Sequence, residues 1–397
     1  MRRTLLIFVG LLLTHPVYAV SLRATLDQAW ETSPQAQTLE ARRAESDAQI
    51  IAANSLLPGS PAVILSHRGD QLTNNAGLNE WEAGIALPIW LPGQRDARQR
   101  QAQAGKGSLE ASIRALRLKL AGELRESIWQ VRQTQAQIQL DEARARTAKK
   151  LADDVARRVR AGELLARTDL NLAQNEWRTA QAAVLLSRTR LLQAQQTYAT
   201  LTGMTALPDD MSESVLPKSL PDDHPLLEDA RKAIETAQAQ VRLAIESRRD
   251  NPELGLGMRR ERGSLNDPYA DSVIISMRLP LSTDARNLPL ISAAQTALAD
   301  AQSQYNRTRL TLEFQIQQAE QSLQATGQLL EMAQQQRAAA QENLELIQKS
   351  FDLGETDLFA LLRARAAAFD AGQACNQQEI AQALSRARLN QALGVLP

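Results

Sequence analysis

The most constraining feature of this sequence is a long stretch, residues 290–351, in which apolar or small side chains recur at alternating steps of three and four. This heptad spacing is typical of a helix that packs along one narrow seam in a coiled coil. An extra step of four between Leu312 and Ile316 inserts a stutter, and Arg337 is the only charged residue in the seam. At about 1.5 Å per residue the helix is roughly 90 Å long, which no globular core requires. The seam residues are Leu298, Ala301, Tyr305, Thr308, Leu312, Ile316, Ala319, Leu323, Thr326, Leu330, Ala333, Arg337, Ala340, Leu344, Ile347 and Phe351.

The charge balance argues against nucleic acid as a partner. The chain carries 45 basic and 45 acidic residues, so its formal net charge is zero. Binding to a nucleic-acid backbone requires an excess of basic side chains on the contact surface. Aromatic residues make up only 4% of the chain, which favours long helices over a large aromatic core.

Residues 1–19 are predicted to be an export signal. Arg2 and Arg3 provide the charged start, residues 5–13 the apolar stretch, and residues 17–19 the cleavage site. The apolar stretch of about nine residues is too short to span a bilayer, so an uncleaved anchor is the less favoured alternative. No later stretch reaches the roughly 18 apolar residues of a membrane helix, so any membrane contact must be made without helices. No cysteine stands directly after the predicted cleavage site, so a lipid attached to a new N-terminal cysteine is not expected.

Motifs for catalysis and for cofactor or metal binding are missing from the sequence. Cys375 is the only cysteine and is expected to be a small packing residue rather than a nucleophile. His67 and His224 are far apart, and no Gly-rich phosphate loop follows a strand. The acidic pairs at residues 209–210 and 222–223 are interpreted as solvated linker charges. We therefore predict neither enzymatic activity nor a cofactor.

Beyond the signal, the sequence divides into two halves with the same predicted order of elements. The first half covers residues 20–203, a linker rich in Pro and Asp covers residues 204–224, and the second half covers residues 225–397. Each half is predicted to contain a helix, two strands, a long helix, a glycine break and a final helix. The predicted elements are helix 21–54, strands 62–68 and 80–87, helices 95–160, 169–201 and 225–249, strands 254–259 and 272–279, the long helix 290–351, and a last helix ending near residue 393.

Breaker residues recur at a nearly constant separation in the two halves. Three of the pairs below are 191 residues apart and two are 192 apart, which requires only a one-residue gap. Breakers in register over this distance indicate a tandem duplication. The pairs are Pro34 with Pro225, Pro61 with Pro252, Gly203 with Gly394, Pro88 with Pro280, and Gly162 with Gly354.

The predicted strands alternate apolar with polar or small side chains. Segments of about seven to nine residues approach the roughly 9–11 residues of a transmembrane strand. In that interpretation the apolar set faces lipid, and four charged residues face an interior: Glu80, Glu82, Arg259 and Arg278. The alternative is two ordinary hairpins packed on the helices of a soluble domain, and the pattern alone leaves both open.

The membrane interpretation has a consequence for assembly. Four strands cannot close a barrel, and an open sheet edge is not tolerated in lipid, so several copies must share one barrel. Three copies would supply twelve strands. The first long helix supports an assembly of several copies, because its narrow apolar stripe is typical of a helix in the wall of a hollow cylinder with water on both sides. The stripe consists of Ile113, Leu116, Leu120, Leu124, Ile128, Val131 and Ile138.

Three groups of short motifs, in this order and spacing, give the sequence a resemblance to the TolC family of outer-membrane efflux proteins. They are the strand exit at residues 87–95, the hairpin tips at residues 158–163 and 350–356, and the helix ends at residues 201–203 and 393–394. The resemblance implies a mainly α-helical chain with four strands per protomer. It further implies a trimeric twelve-stranded β-barrel in the outer membrane and an α-helical tunnel in the periplasm.

The same resemblance implies a passive exit duct of a three-part pump. The partners would be two further copies of the chain, outer-membrane lipid, a periplasmic adaptor and an inner-membrane pump of the RND type. The adaptor would dock on the hairpin tips, at Arg160, Gly162, Glu163, Gly354, Glu355 and Thr356.

The sequence departs from the family at the tunnel mouth. Some members narrow the mouth with acidic residues after the second tip, but the matching positions here hold Ala360 and Arg363. Asp352, Glu355 and Asp357 lie nearby and could supply negative charge instead. We therefore expect a mouth formed by Asp352, Asp357 and Arg363, closed by helix coiling and by an ion pair between Arg363 and an acid.

The cargo is less constrained than the fold. The chain is short for the family and lacks a long C-terminal extension and a lipid-attachment cysteine, features that resemble the branch exporting heavy-metal cations. A duct need not bind its cargo, so the missing His and Cys clusters do not count against metal export. Export of drugs or other organic solutes, a type I secretion duct of the same fold, and a soluble periplasmic coiled-coil scaffold are the alternatives.

Overall fold

The computed structural model describes residues 21–162, 166–211, 213–214 and 219–397. Over these residues the chain forms seven helices and one four-stranded sheet. The predicted export signal and Glu163 lie outside the described residues.

The elements follow the same order in the two halves of the chain. The two longest helices contain 68 and 69 residues, so each is about 100 Å long. The first half consists of α1 (Leu22–Thr32), α2 (Pro34–Asn54), β1 (Ala62–Gly69), β2 (Asn79–Pro88), α3 (Gln94–Ala161) and α4 (Arg167–Thr202). The second half consists of α5 (Pro225–Glu246), β3 (Glu253–Arg262), β4 (Ala270–Arg278), α6 (Asp284–Asp352) and α7 (Leu358–Ala392).

The prediction of one helix over residues 21–54 was wrong, because the chain breaks at Ser33. The backbone N–H of Ser33 donates to the carbonyl of Trp30 at 3.2 Å and ends α1. Its hydroxyl accepts from the N–H of Ala36 at 3.4 Å and caps α2. Pro34 has no N–H and disfavours a helical conformation in the residue before it, but is well suited to the first position of a new helix.

The predicted seam of α6 is the face that the helix buries. Of the sixteen seam residues, only Arg337 is exposed, and the others are buried or half-buried. Arg337 reaches sideways to Cys375 of α7, with 3.8 Å between Nη1 and Sγ. Cys375 is fully buried, as expected of a packing residue. The helix begins at Asp284 rather than residue 290, so Pro289 lies inside it, where its missing N–H costs the hydrogen bond to the carbonyl of Ala285.

The buried face of α3 is wider than the predicted stripe. Leu120, Leu124, Ile128 and Val131 are buried as expected, but so is a second set of mostly small residues. The reason is that α3 packs against five other helices, α1, α2, α4, α5 and α7. Small side chains let the neighbouring helices pack closely against α3, but they do not form a recognisable apolar stripe in the sequence. The second set comprises Ala111, Ala115, Leu118, Ala121, Ser127 and Thr134.

The four strands form one antiparallel sheet in the order β1-β2-β3-β4. Pairing of β2 with β3 joins the two halves of the chain, and Gly84 lies opposite Gly257. A Cβ at Gly84 would lie 3.0 Å from the carbonyl oxygen of Leu256, and one at Gly257 would lie 3.0 Å from that of Ala83. The close approach of β2 and β3 therefore favours glycine at both positions.

The segment between the two halves is attached to the middle of α3 by a buried ion pair. Arg125 is 2% exposed and donates from Nε and Nη2 to the carboxylate of Glu213 at 2.8 and 2.7 Å. The same guanidinium donates to the side chain of Gln391 at 2.6 Å and to the carbonyl of Val395 at 3.0 Å. Asn390 donates to Glu213 at 3.0 Å. One arginine therefore links α3, the linker and the end of α7.

His224 caps α5 from a buried position. The side chain is 1% exposed, and its Nδ1 accepts from the N–H of Leu226 at 3.2 Å. Burial lowers the pKa of His224 from its ordinary value of 6.5, although the backbone of Ala392 and the carboxylate of Asp223 favour the charged form. The imidazole is therefore expected to stay neutral in the folded protein where it would be protonated in the unfolded chain.

This burial predicts an acid-sensitive fold. As pH falls below 6.5 the unfolded chain takes up a proton that folded His224 does not, so the free energy of unfolding decreases down to the lowered pKa. Above 6.5 the residue adds no pH dependence. We expect His224→Asn, which keeps a capping side chain, to reduce the loss of thermal stability between about pH 7.5 and about pH 5.5. His67→Asn, at an exposed histidine of β1, is the control and should leave that loss unchanged.

Candidate functional site at the helical tips and the strand sheet

The helical hairpins α3–α4 and α6–α7 both turn at the end of the molecule opposite the sheet. Each long helix stops at a glycine in the left-handed conformation, Gly162 with φ of 78° and Gly354 with φ of 77°. A Cβ at either position would meet no atom within 4 Å. The backbone conformation, not lack of space, therefore requires glycine at both tips.

The second tip is held by its own hydrogen bonds. The N–H of Glu355 donates to the carbonyl of Ser350 at 2.9 Å, and the hydroxyls of Ser350 and Thr356 lie 2.6 Å apart. The Ser350 hydroxyl also donates to the carboxylate of Glu355 at 3.4 Å. Two predicted site residues, Glu355 and Thr356, thus stabilise the turn itself, which presents a fixed surface.

The two tips pack together into one unit. The guanidinium of Arg158 lies 5.4 Å from the centre of the Phe351 ring, and Phe351 is 3% exposed. Arg160 remains exposed at the first tip, where its Nε donates to the carbonyl of Ala156 at 3.0 Å. The buried residues of this tip cluster come from both hairpins: Leu151, Ala152, Val155, Ala173, Phe351, Leu358 and Leu361.

Apolar side chains are exposed around the packed tips. Leu353 is 75% exposed, Phe359 57% and Leu172 44%. Large apolar residues on a rigid, solvated end are typical of a contact surface for another protein. These three residues were not among the tip residues predicted from the sequence, although all lie within ten residues of the two glycines.

The three predicted residues of the tunnel mouth lie close together in sequence but make separate contacts. Asp357 caps α7 by accepting from the N–H of Ala360 at 2.8 Å, and Asp352 accepts from the side chain of Gln348 at 3.0 Å. The guanidinium of Arg363 lies 4.9 Å from the centre of the Phe359 ring. Within the described residues of one chain, no carboxylate is within ion-pair distance of Arg363. A carboxylate that pairs with Arg363 would therefore have to come from outside the described residues of its own chain.

A cavity of about 260 Å³ lies between the two hairpins above the tips, and its lining is mostly apolar with a few charged side chains. Arg144 pairs with Glu176 at 2.8 Å, and its guanidinium lies 4.6 Å from the centre of the Phe369 ring. Arg365 donates to Gln348 at 2.6 Å, and burial lowers its pKa although Asp352 and Glu176 oppose this. Charged side chains from both hairpins thus line this cavity together with apolar residues such as Leu151, Leu344 and Leu362.

At the other end of the molecule, one face of the sheet is apolar and exposed. In β2 the exposed side chains alternate with less exposed ones, and Trp81, Ala83 and Ile85 belong to the exposed set. The register aligns this set across all four strands, for example Ile85 with Leu256 and Leu256 with Ile275. We call this face the apolar belt; it consists of Val63, Leu65, Ala83, Ile85, Leu256, Met258, Val273, Ile275 and Met277.

The charged residues predicted to face an interior all lie on the opposite face. Arg259 approaches Glu80 at 2.9 Å, Glu82 at 3.5 Å and Glu261 at 3.9 Å. Glu80 and Glu261 lie directly opposite each other, so their repulsion would be unfavourable without this arginine. Arg278 is apart from the group, near the helices, and pairs with Glu253 at 3.6 Å.

Comparison with known families identifies the chain. The sequence profile of the family described as outer membrane efflux protein matches residues 25–204 and again residues 216–395. The chain belongs to the outer membrane efflux protein family. The double match agrees with the repeated order of elements. The family consists of passive outer-membrane channels with a periplasmic helical tunnel, which confirms the expected fold and location and the absence of enzymatic activity.

Solved structures share this fold at low sequence identity. CusC aligns with a TM-score of 0.78 and 16% identity, covering 94% of this chain and 92% of its own. CmeC of Campylobacter jejuni aligns with a TM-score of 0.76 and 16% identity, covering 94% and 85%. VceC of Vibrio cholerae aligns with a TM-score of 0.76 and 17% identity, covering 94% and 96%. A search of curated protein sequences finds no significant match.

Family membership also fixes the kind of partner. Channels of this family are homotrimers that work with an adaptor and an inner-membrane pump.

Among the residues that the structure describes, no helix has the length and apolar character to cross a membrane. The same residues contain no group of three or more His, Cys, Asp or Glu side chains that could hold a metal ion.

Proposed function

We propose that three copies of this chain form the outer-membrane exit duct of a tripartite efflux pump. The observation that carries the proposal is the combination, in one chain, of an exposed apolar belt at one end and helical hairpins about 100 Å long leading away from it. The belt suits lipid, and the hairpins suit a water-filled tunnel wall. Substrate would pass through the tunnel without being changed.

The sheet edges support a shared barrel. β1 and β4 each have one unpaired edge, and lipid offers no hydrogen-bond partner to backbone groups. Pairing of β4 with β1 of the next copy would satisfy both edges. Three copies of the four-stranded sheet would give a closed barrel of twelve strands, with the Arg259 group inside and the apolar belt outside.

The helices also carry apolar side chains that a single copy leaves uncovered. On α4, Leu185 and Leu192 are 66% and 60% exposed, and on α6, Leu310 and Phe314 are 60% and 64% exposed. They lie outside the seams that pack within one chain. Neighbouring copies around the tunnel would cover them, which removes apolar surface from water.

Adjacent isoleucines of β4 test the proposal. Ile275 belongs to the apolar belt and is 73% exposed, whereas Ile274 lies on the opposite face. A lysine in the lipid-facing middle of a barrel costs about 2–4 kcal/mol, and the cost is smaller in the lumen. Ile275→Lys should therefore abolish the heat-modifiable trimer in outer-membrane fractions, and Ile274→Lys should retain it. Equal behaviour of the two variants would refute the assignment of the faces.

The packed tips are the proposed docking site for the adaptor. The fixed turn of the second tip presents Glu355 and Thr356 beside the exposed side chains of Leu353 and Phe359, and Arg160 lies exposed at the first tip. Glu163 and the two tip glycines complete the predicted set. An inner-membrane pump of the RND type would deliver substrate through that adaptor.

At the tunnel mouth we propose that Arg363 pairs with an acid of a neighbouring copy, since its own chain offers none among the described residues. Loss of this pair would loosen the closed mouth. We therefore expect Arg363→Ala to raise single-channel conductance in planar bilayers and to change sensitivity to detergents and antibiotics in cells. Unchanged conductance and sensitivity would exclude a role for Arg363 in closure.

The proposed cargo is heavy-metal cations, with drugs or other organic solutes and a secreted protein as alternatives. The support is the resemblance of the sequence to the metal-exporting branch of the family. A strain lacking its own ducts, complemented with this protein and a matching adaptor and pump, should regain metal resistance. Restored resistance to drugs alone would favour the organic-solute alternative. The soluble scaffold is no longer an alternative, because the family is found in the outer membrane.

A further inference from the structure

The sheet carries a basic and aromatic group at the end farthest from the helices. Tyr269 precedes β4, and the guanidinium groups of Arg260 and Arg262 lie 5.0 and 5.1 Å from the centre of its ring. On β1 and β2, the rings of His67 and Trp81 are in contact, tilted by 38° with their centres 4.3 Å apart. We call these five residues the distal rim.

The rim residues of the strands lie on the same face as the apolar belt. Strand alternation gives Arg260 and Arg262 the same direction as Met258, which is 65% exposed, and Trp81 lies opposite Arg260 in the register. The rim is therefore continuous with the belt and lies just beyond it. Arg260 and Arg262 belong to β3, an inner strand of the sheet, so the site would be complete within one copy.

The charges of the rim are only partly neutralised within the chain. Asp271 lies 3.8 Å from Nε of Arg260, and both side chains are about two-thirds exposed to solvent, which leaves this a weak pair. Arg262 has a buried Nε without a hydrogen-bond partner, and its described neighbours include the ring of Tyr269. Among the described residues, Asp271 is thus the one carboxylate paired with either guanidinium, and the two arginines lie just beyond a surface suited to acyl chains.

We propose that Arg260 and Arg262 bind the phosphate group of a lipid in the outer leaflet of the membrane, with Tyr269 holding the two side chains apart and in place. Arginine offers several donors in a planar fork and is well suited to phosphate. Trp81 and Tyr269 would lie at the level of the headgroups, as aromatic residues do at membrane interfaces. This inference rests on the proposed function, because it requires the apolar belt to face lipid.

The test uses the full trimer in vesicles of phosphatidylcholine to which lipid A is added, either with its phosphate groups or after their removal. Lipid that stays bound after re-extraction is measured by mass spectrometry. We expect the native protein to retain the phosphorylated form in preference. Each of Arg260→Gln and Arg262→Gln should reduce that preference about fivefold, and Arg260→Lys should reduce it less. Arg278→Gln, an exposed arginine on the opposite face, is the matched control and should have no effect.

The possible results distinguish failure of the lipid site from failure of the exit duct. Equal retention of the two forms of lipid A, or variants identical to the native protein, would overturn the inference while leaving the exit duct intact. Displacement of the lipid by inorganic phosphate alone would also overturn it, because it would identify a site for free anions. A trimer that does not insert even into pure phosphatidylcholine would refute the lipid-facing belt and the inference together. Trimer formation by each variant is confirmed first by heat-modifiable mobility.

Discussion

Replacing Arg125 with alanine is expected to lower the free energy of unfolding by about 3–5 kcal/mol. The guanidinium is almost fully buried and donates to Glu213, Gln391 and Val395 at once. Its loss leaves the carboxylate of Glu213 in a buried site with the amide of Asn390 as its remaining described side-chain donor. Chemical denaturation followed by circular dichroism measures the loss, and proteolysis within residues 204–224 should become faster because the linker is released from α3.

An exposed ion pair of the next residue of α3 is the control. Arg388 of α7 contacts Glu126 of α3 at 2.6 and 2.9 Å, but both side chains are about half exposed. The hydrogen bond to Glu126 raises the pKa of Arg388, yet such solvated pairs contribute no more than about 1 kcal/mol. The double variant Arg125→Met with Glu213→Leu should recover most of the lost stability, because no buried charge remains. If Arg125→Ala and Arg388→Ala lowered the free energy of unfolding equally, burial would not be what determines how much the Arg125–Glu213 ion pair stabilises the fold.

Phe351→Ala is expected to cost about 3–5 kcal/mol and to act mainly at the tips. The ring is 3% exposed, ends the seam of α6 and lies under Arg158 of the other hairpin. Its removal leaves a cavity where the two hairpins meet and removes the cation–π contact. Amide hydrogen exchange should rise in residues 344–361 and remain unchanged in the sheet, and the channel should conduct more often in planar bilayers.

Leu353→Ala is the control at the same tip. Its side chain is 75% exposed, so the expected change in stability is within about 0.5 kcal/mol. If this variant opened the channel as much as Phe351→Ala did, packing between the hairpins would not be what keeps the mouth closed. Weaker adaptor binding by Leu353→Ala alone would instead support the proposed docking role of the tip surface.

Periodic features were predictable from the sequence because each can be detected within a few turns of chain. The seam of α6 needed only the spacing of residues such as Leu312, Ile316 and Ala333, and all three are buried. The glycine turns at Gly162 and Gly354 followed from breakers in register across the duplication, and both residues have positive φ. Strand alternation likewise separated Glu80 and Glu82 from the apolar belt.

Contacts between distant residues left no such signal. Arg125 and Glu213 are separated by 88 residues, and neither interrupts a pattern at its own position. The wide buried face of α3 was missed because small residues such as Ala115 and Ala121 pack closely without standing out as an apolar stripe. The break at Ser33 was missed because a proline inside a helical pattern fits both a kink and a new start, and local capping decides between them.

The sequence by itself determined the duplication, the two long helices, the alternating strands and the two tip glycines, because each depends on the spacing of neighbouring residues. Only the tertiary structure decided which side of the sheet is exposed, that Arg259 gathers Glu80, Glu82 and Glu261, and that Arg260 and Arg262 share the ring of Tyr269. These arrangements depend on strand register and helix packing, in which residues far apart along the chain become neighbours. Periodicity along one segment carries no information about the segment that it will meet.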